Sequence, residues 1–110
     1  MQTLNRQLTL QEKSTLPDGA GGFVPGWSSL GQLWARIEAR TARSVPHDEV
    51  SASIGAYRII VRSAPVGAPS RPRAGQRLLE GSRIFTINGV ADYDTGGHFL
   101  MLTAQEEVAQ

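Results

Sequence analysis

Apolar and polar residues alternate with a period of two from the start of the chain. Leu4, Arg6, Leu8 and Leu10 share one side of an extended segment, while Asn5, Gln7, Thr9 and Gln11 take the other, the signature of a half-buried strand. The run Leu16–Gly22, LPDGAGG, then combines a proline that fixes φ, an aspartate able to bond its own backbone and glycines free to take positive φ, so a turn or loop is expected there. Phe23–Leu30 resumes extended character, but Pro25 and Gly26 point to an edge strand or a bulge. After Gly31, Leu33, Ala35, Ile37 and Ala39 alternate with Trp34, Arg36, Glu38 and Arg40, which predicts a third strand with helix as the competing reading.

The rhythm breaks over Thr41–Gly55, TARSVPHDEVSASIG. Pro46 suits a helix start and Asp48 and Glu49 a first turn, so a short helical turn over His47–Ser53 competes with a long surface loop. Structureless loops of this length are uncommon in compact domains and tend to be functional or disordered. Ala56–Ser63 is the clearest strand, with Tyr57, Ile59 and Val61 on one face and Arg58, Ile60 and Arg62 on the other. Ala64–Gly75 holds three of the six prolines and reads as an extended connector, because proline cannot donate to a ladder. Gln76–Glu80 predicts a short strand, Gly81 a turn and Arg83–Ala91 a longer strand, within which Asn88-Gly89 is either a tight hairpin turn or a bulge. Asp92–Gly97 is a turn. His98–Gln105 closes the chain as a strand apolar on both faces through Phe99, Leu100, Met101 and Leu102, which implies two-sided burial or a subunit contact. The expected class is all-β: a small β-barrel or sandwich of six to seven short strands, with one long loop able to hold a short helical turn.

Composition narrows what such a domain does. A chain of 110 residues forms one domain with one modest core. Eleven basic against ten acidic residues leave a net charge of +1, too weak a field to imply nucleic-acid binding by electrostatics alone. Ten of the eleven basic residues are arginine, which suits carboxylate recognition and interfaces, although biased genomic composition explains it equally. There is no cysteine, so disulfides, thiolate chemistry and cysteine-based zinc sites are excluded. No apolar run approaches the ~20 residues that cross a bilayer, and the N-terminus lacks the features of a signal peptide. The expectation is a soluble cytoplasmic component that engages no membrane.

Candidate chemistry is sparse. The loop Asp18–Gly22 lacks the Gly-Lys-Ser/Thr ending of a phosphate cradle, and no helix follows it. Asp92, Asp94 and Gly97 echo the opening of an EF-hand, but Thr103 stands where a bidentate glutamate is required. His47, Asp48 and Glu49 are sequence neighbours whose side chains diverge rather than converge on a metal. No Gly-x-Ser-x-Gly elbow accompanies either histidine. No catalytic residue, metal or cofactor is therefore assigned, and the chain is not expected to be an enzyme. Arg71, Arg73, Arg77 and Arg83 make a basic stretch that could contact phosphates, yet Glu80 lies among them and no aromatic residue is interleaved for base stacking. Trp27 and Trp34 suit core or barrel-rim packing, with a subunit interface as the second reading.

In order and spacing, LNRQLTLQ, PDGAGGFVPGW and LWARIEAR, followed by YRIIVRSAPVG, RPRAGQRLLEGSRIFTINGVADYD and an aromatic-hydrophobic strand ending in Glu106-Glu107, resemble phage head-tail joining proteins. These are the head-closure or stopper proteins, and the likeness is greatest to the version carried by alphaproteobacterial gene transfer agents. It covers nearly the whole chain. It implies a small β-barrel whose Arg83–Ala91 strand runs straight through Asn88 with a bulge at Gly89. It further implies a ring, hexameric or dodecameric, set beneath a portal-adaptor ring and above a tail terminator. Such a ring closes the channel after packaging, lets DNA pass without sequence recognition and receives the tail. The protein would then be cytoplasmic during assembly and later part of a released particle. By the same likeness Thr41–Gly55 is the variable insertion on the channel side, with Arg43, Pro46, His47, Asp48, Glu49 and Val50 as candidate channel residues, and Trp27, Trp34, Arg71 and Arg73 as candidate subunit or ring contacts. Relatives often carry a basic cluster where this chain has Gly96, Gly97 and His98, so charge-based docking at that turn does not carry over. The rival reading is a free-standing nucleic-acid-binding barrel of the OB or SH3-like kind using Arg71 to Arg83.

Overall fold

Alternating apolar residues become the inner wall of a closed barrel in the computed structural model, which describes residues 3–40 and 55–107. Six strands are formed: β1 (Arg6–Pro17), β2 (Phe23–Ala39), β3 (Ala56–Arg62), β4 (Arg77–Glu80), β5 (Arg83–Asp92) and β6 (Phe99–Glu106). They close in the order β1-β2-β3-β6-β5-β4, every pair antiparallel. The all-β expectation holds, and barrel rather than sandwich is the architecture. Closure removes the exposed edges that an open sheet of this size would present.

The core is the set of residues in phase with the inner face: Leu8, Leu10, Ala35, Ile59, Val61, Leu78, Phe85, Ile87, Leu100, Leu102 and Ala104. Leu30, Leu33, Ile37, Tyr57 and Val90 pack against it. Ile60, out of phase with Ile59 and Val61, is also fully buried, while its outward neighbours Arg58 and Arg62 keep exposed surface. On β6 the outward Phe99 and Met101 are only half-buried.

Two departures from the sequence reading concern β2 and the connector. The segments expected as separate second and third strands form one strand of 17 residues, and the helix alternative for Leu33–Arg40 is not adopted. Gly31 does not end the strand. It takes a φ of 136° opposite Leu10, where the pairing shifts register and leaves Leu30 as the extra residue of a bulge; a glycine tolerates that backbone. The second bulge lies between Ile87 and Gly89, so the strand runs through Asn88-Gly89 and no hairpin forms there. The connector is not extended. It folds through successive tight turns, with Ala68 N–H donating to the Pro65 carbonyl and Arg71 N–H to that of Ala68. β3 and β4 stand on opposite walls, so this segment must span one mouth of the barrel. Pro72 is fully buried and Gln76 nearly so. Gln76 accepts the Arg73 N–H at 2.8 Å through its side chain, which satisfies a polar group that burial would otherwise penalise.

Candidate assembly surface

Strand direction sorts the loops between two ends. At one end lie the connector, the β5–β6 turn and the hairpin joining β1 to β2. At the other lie the starts of β1, β3 and β5 and the ends of β2, β4 and β6.

The second end is closed by an ionic network. Arg6 donates to both carboxylate oxygens of Glu80, at 2.6 and 2.5 Å. Arg83 donates to both oxygens of Glu106, at 2.9 and 3.1 Å, to the Tyr57 hydroxyl at 3.3 Å, and stands 3.6 Å from Glu80. Its guanidinium also lies over the rings of Phe85 and Tyr57, which meet edge to face at 5.3 Å. The hydrogen bonds from Arg6 hold the Glu80 carboxyl below its usual range, and those from Arg83 do the same for Glu106. The carboxylates raise both arginines in turn. All these residues are in phase with the inner face, where strand ends would otherwise leave the core open. They form a structural lid over Phe85, and bidentate pairing fixes it geometrically.

The first end carries the unusual feature. β4 pairs with β1 only over Thr9–Gln11 and β3 meets β2 only from Ala35 onward. Beyond Gln11 and Ser29 the two strands therefore run on as a two-stranded arm, paired as far as Pro17 and Phe23, about 20 Å at 3.4 Å per residue. Lys13, Thr15 and Pro17 lie opposite Trp27, Pro25 and Phe23 on one face; Ser14 and Leu16 lie opposite Gly26 and Val24 on the other. Ser28 donates to the Ser14 hydroxyl at 2.9 Å. A side chain at Gly26 would collide with Leu16, whose Cδ1 lies 2.5 Å from where a Cβ would stand. At the arm's base the Arg77 guanidinium sits 4.0 Å over the Trp27 ring and its Nε donates to the Gln11 side chain at 2.8 Å.

Asp18 organises the tip. Its carboxylate accepts the N–H groups of Ala20 and Gly22 at 2.8 and 3.0 Å, while Asp18 N–H donates to the Gly22 carbonyl. Those backbone bonds hold the carboxyl below its ordinary value of 3.8. A depressed value means that the tip's ordering is present above the ordinary value and is lost as pH falls through the lowered one. The Ala20 and Gly22 amide resonances are expected to titrate with a midpoint below 3.8, and the movement should vanish in Asp18→Asn. A midpoint at or above the ordinary value would contradict the turn as described.

The sequence-selected residues do not converge. Trp27 is half-buried on the arm, whereas Trp34 lies on the barrel's outer wall with 54% of its surface exposed; neither belongs to the core, contrary to the packing expectation. Arg71 donates to the Ala64 carbonyl at 2.8 Å, and Arg73 lies 3.6 Å from Glu12. Both line a cleft of about 270 Å³ between the connector and the arm's base, with Leu30, Pro69 and Gln76. Arg77 stacks on Trp27 at the same end and Arg83 is at the opposite end, so the four arginines do not share one surface. The channel candidates Arg43, Pro46, His47, Asp48, Glu49 and Val50 lie outside the described residues, as does the helical turn considered for His47–Ser53. Among the described residues no three of histidine, aspartate and glutamate are placed to hold a metal.

Comparison with solved structures finds two informative likenesses. A chain from the virion of a native gene transfer agent particle is 41% identical, with a TM-score of 0.74 over 99% of this chain and 100% of that one. A protein from Shigella flexneri 2a, solved in solution, shares 20% identity with a TM-score of 0.68 over 97% of this chain and 96% of its own, which supports the fold. No curated protein sequence matches. The profile of one family, described as phage head completion protein, matches residues 1–107. A closed six-stranded barrel, matched by that profile over residues 1–107, belongs to the phage head completion protein family.

Proposed function

We propose that the chain is a structural component of a phage-like particle that assembles as a ring in the head-tail connector, closes the DNA channel after packaging and offers the tail its docking platform. The full-length likeness to a chain of a gene transfer agent virion is the observation that carries this reading, and the family match supports it. The barrel is consistent with work by assembly rather than covalent chemistry: several of its charged side chains pair with one another, and exposed Leu16, Phe23 and Val24 sit on a projecting arm. Engagement of Arg71, Arg77 and Arg83 within the fold fits a channel that DNA traverses without sequence recognition and weighs against a free-standing nucleic-acid barrel using Arg71 to Arg83. The neighbours are then a portal-adaptor ring on the head side and a tail terminator on the other, in a particle assembled in the cytoplasm and released.

Particles made without this chain test the proposal. Heads should fill with DNA, but nuclease should digest it, and tails should not attach. Nuclease-resistant DNA in tailed particles lacking the chain would sink the reading. Replacing residues 46–53 with a short Gly-Ser bridge separates gating from docking: loss of nuclease protection alone places that segment at the channel, and loss of tail joining alone places it at the docking face. Loop-closure entropy changes slowly with length, so the barrel should fold in either case.

A further inference from the structure

The arm points to a specific contact between neighbouring copies. An isolated two-stranded ribbon is marginal in water, and its open edges ordinarily invite another strand. Here each edge is interrupted by a proline. Asp18 and Gly22 are a hydrogen-bonded pair, so by alternation Pro17↔Phe23 and Thr15↔Pro25 are non-bonded pairs whose backbone nitrogens face outward. Pro17 thus removes a donor from the free edge of β1, and Pro25 removes one from the free edge of β2. With each edge short of a donor, the larger surface offered for docking is a face.

The face bearing Phe23, Pro25 and Trp27 is apolar, with Phe23 69% exposed, and carries Lys13 and, at its base, Arg77. Asp18, the nearest acidic group on the arm's tip, is bonded to the turn. The complement is an aromatic or apolar element with a free carboxylate. This chain has one: the β5–β6 turn bears exposed Asp92 beside Tyr93, whereas the Asp94 carboxylate is occupied by the His98 and Phe99 N–H groups. In the closed order, β1 and β2 stand opposite β6 and β5, so arm and turn emerge from the same end of the barrel on opposite walls. Two complementary patches so placed generate a head-to-tail contact at one level, the geometry that closes into a ring.

We propose that the Phe23/Pro25/Trp27 face of one copy's arm packs on the Asp92–Tyr93 turn of the next, with Lys13 paired to Asp92. This rests on the ring reading and specifies its interface. A ribbon this narrow covers far less than the ~800 Å² per partner of a stable pairwise complex, so the contact would act through repetition around a ring rather than as a dimer.

The chain lacks cysteine, which makes Thr15→Cys with Asp92→Cys a clean probe, introduced into assembled particles and oxidised. The expected product is a ladder of covalent multimers ending at the ring number, absent from either single variant. Opposite walls preclude an internal bond. Formaldehyde, indifferent to the contact, reports whether copies touch at all. Multimers with formaldehyde but none with the cysteine pair would overturn this contact and leave the ring. No multimers with either reagent would overturn both. Dimers from Thr15→Cys alone would replace the contact with an arm-to-arm one. Lys13→Glu and Asp92→Lys should each lower the yield of tailed particles by about tenfold through like-charge apposition, and the double variant should recover it; failure to recover would remove the pairing.

Discussion

Phe85→Ala should lower stability by about 4 kcal/mol and Ile59→Ala by about 3 kcal/mol, because both delete fully buried side chains from a closed core with little room to relax. Phe85 has no exposed surface, meets Tyr57 edge to face and lies beneath Arg83, so its removal leaves a cavity under the ionic lid as well as lost transfer energy. Ile59 sits between Ile37 of β2 and Leu102 of β6 on the inner face of β3. Against a total of about 5–15 kcal/mol for a domain, either loss is large. Ala20→Ser and Phe23→Ala should change stability by no more than about 0.5 kcal/mol, since Ala20 contributes only its N–H to the tip and Phe23 is exposed on the arm. Urea denaturation of the four variants decides the matter. Equal midpoints for core and arm substitutions would mean that the register, and with it the barrel, is misassigned.

That register was largely readable because a strand with one buried face must alternate. Leu8 and Leu10, Ile59 and Val61, and Leu100 and Leu102 all lie where their spacing places them. Pro25 and Gly26 pointed to an edge strand, and they fall on an arm whose outer edge is free; Gly31 misled, because it serves a bulge rather than an end. The connector's course across the mouth was illegible because it follows from β3 and β4 standing opposite one another, a fact of topology. The ionic lid was missed for a similar reason: Arg6 and Glu80 are 74 residues apart. A local signal did exist, since Arg6 shares the apolar phase of Leu4, Leu8 and Leu10, and a charge in phase with a core at a strand's end needs a partner. The arm's role as a surface was hidden because nothing local shows that β4 and β3 are too short to flank β1 and β2 along their whole length.

The lid yields a second large effect, read against pH. Glu80 and Glu106 are both held below their ordinary carboxyl value of 4.5, chiefly by hydrogen bonds from Arg6 and Arg83 respectively. A carboxylate whose value is depressed on folding contributes stability that is complete above the ordinary value and disappears as pH falls through the lowered one. Stability should therefore stay level down to about pH 5 and then drop steeply towards pH 3 as the two carboxylates are protonated. Arg83→Met removes the shared donor and leaves Glu106 without its bidentate partner and Glu80 with Arg6 alone. Hydrogen bonds to charged groups contribute about 1.5–3 kcal/mol, but both side chains keep contact with water, so solvent screening reduces the expected loss at neutral pH to about 1–2 kcal/mol. The variant should also lose part of the acid dependence, because a Glu106 carboxyl freed from Arg83 titrates closer to its unfolded value. Glu106→Gln should flatten the profile in the same way, while Arg58→Met, on the outer face of β3, should leave its shape intact. Denaturant midpoints measured at intervals from neutral pH to pH 3 provide the test. Parallel profiles for Arg83→Met and the parent chain would show that the acid-sensitive groups lie elsewhere, and that the lid closes the barrel by packing rather than by charge.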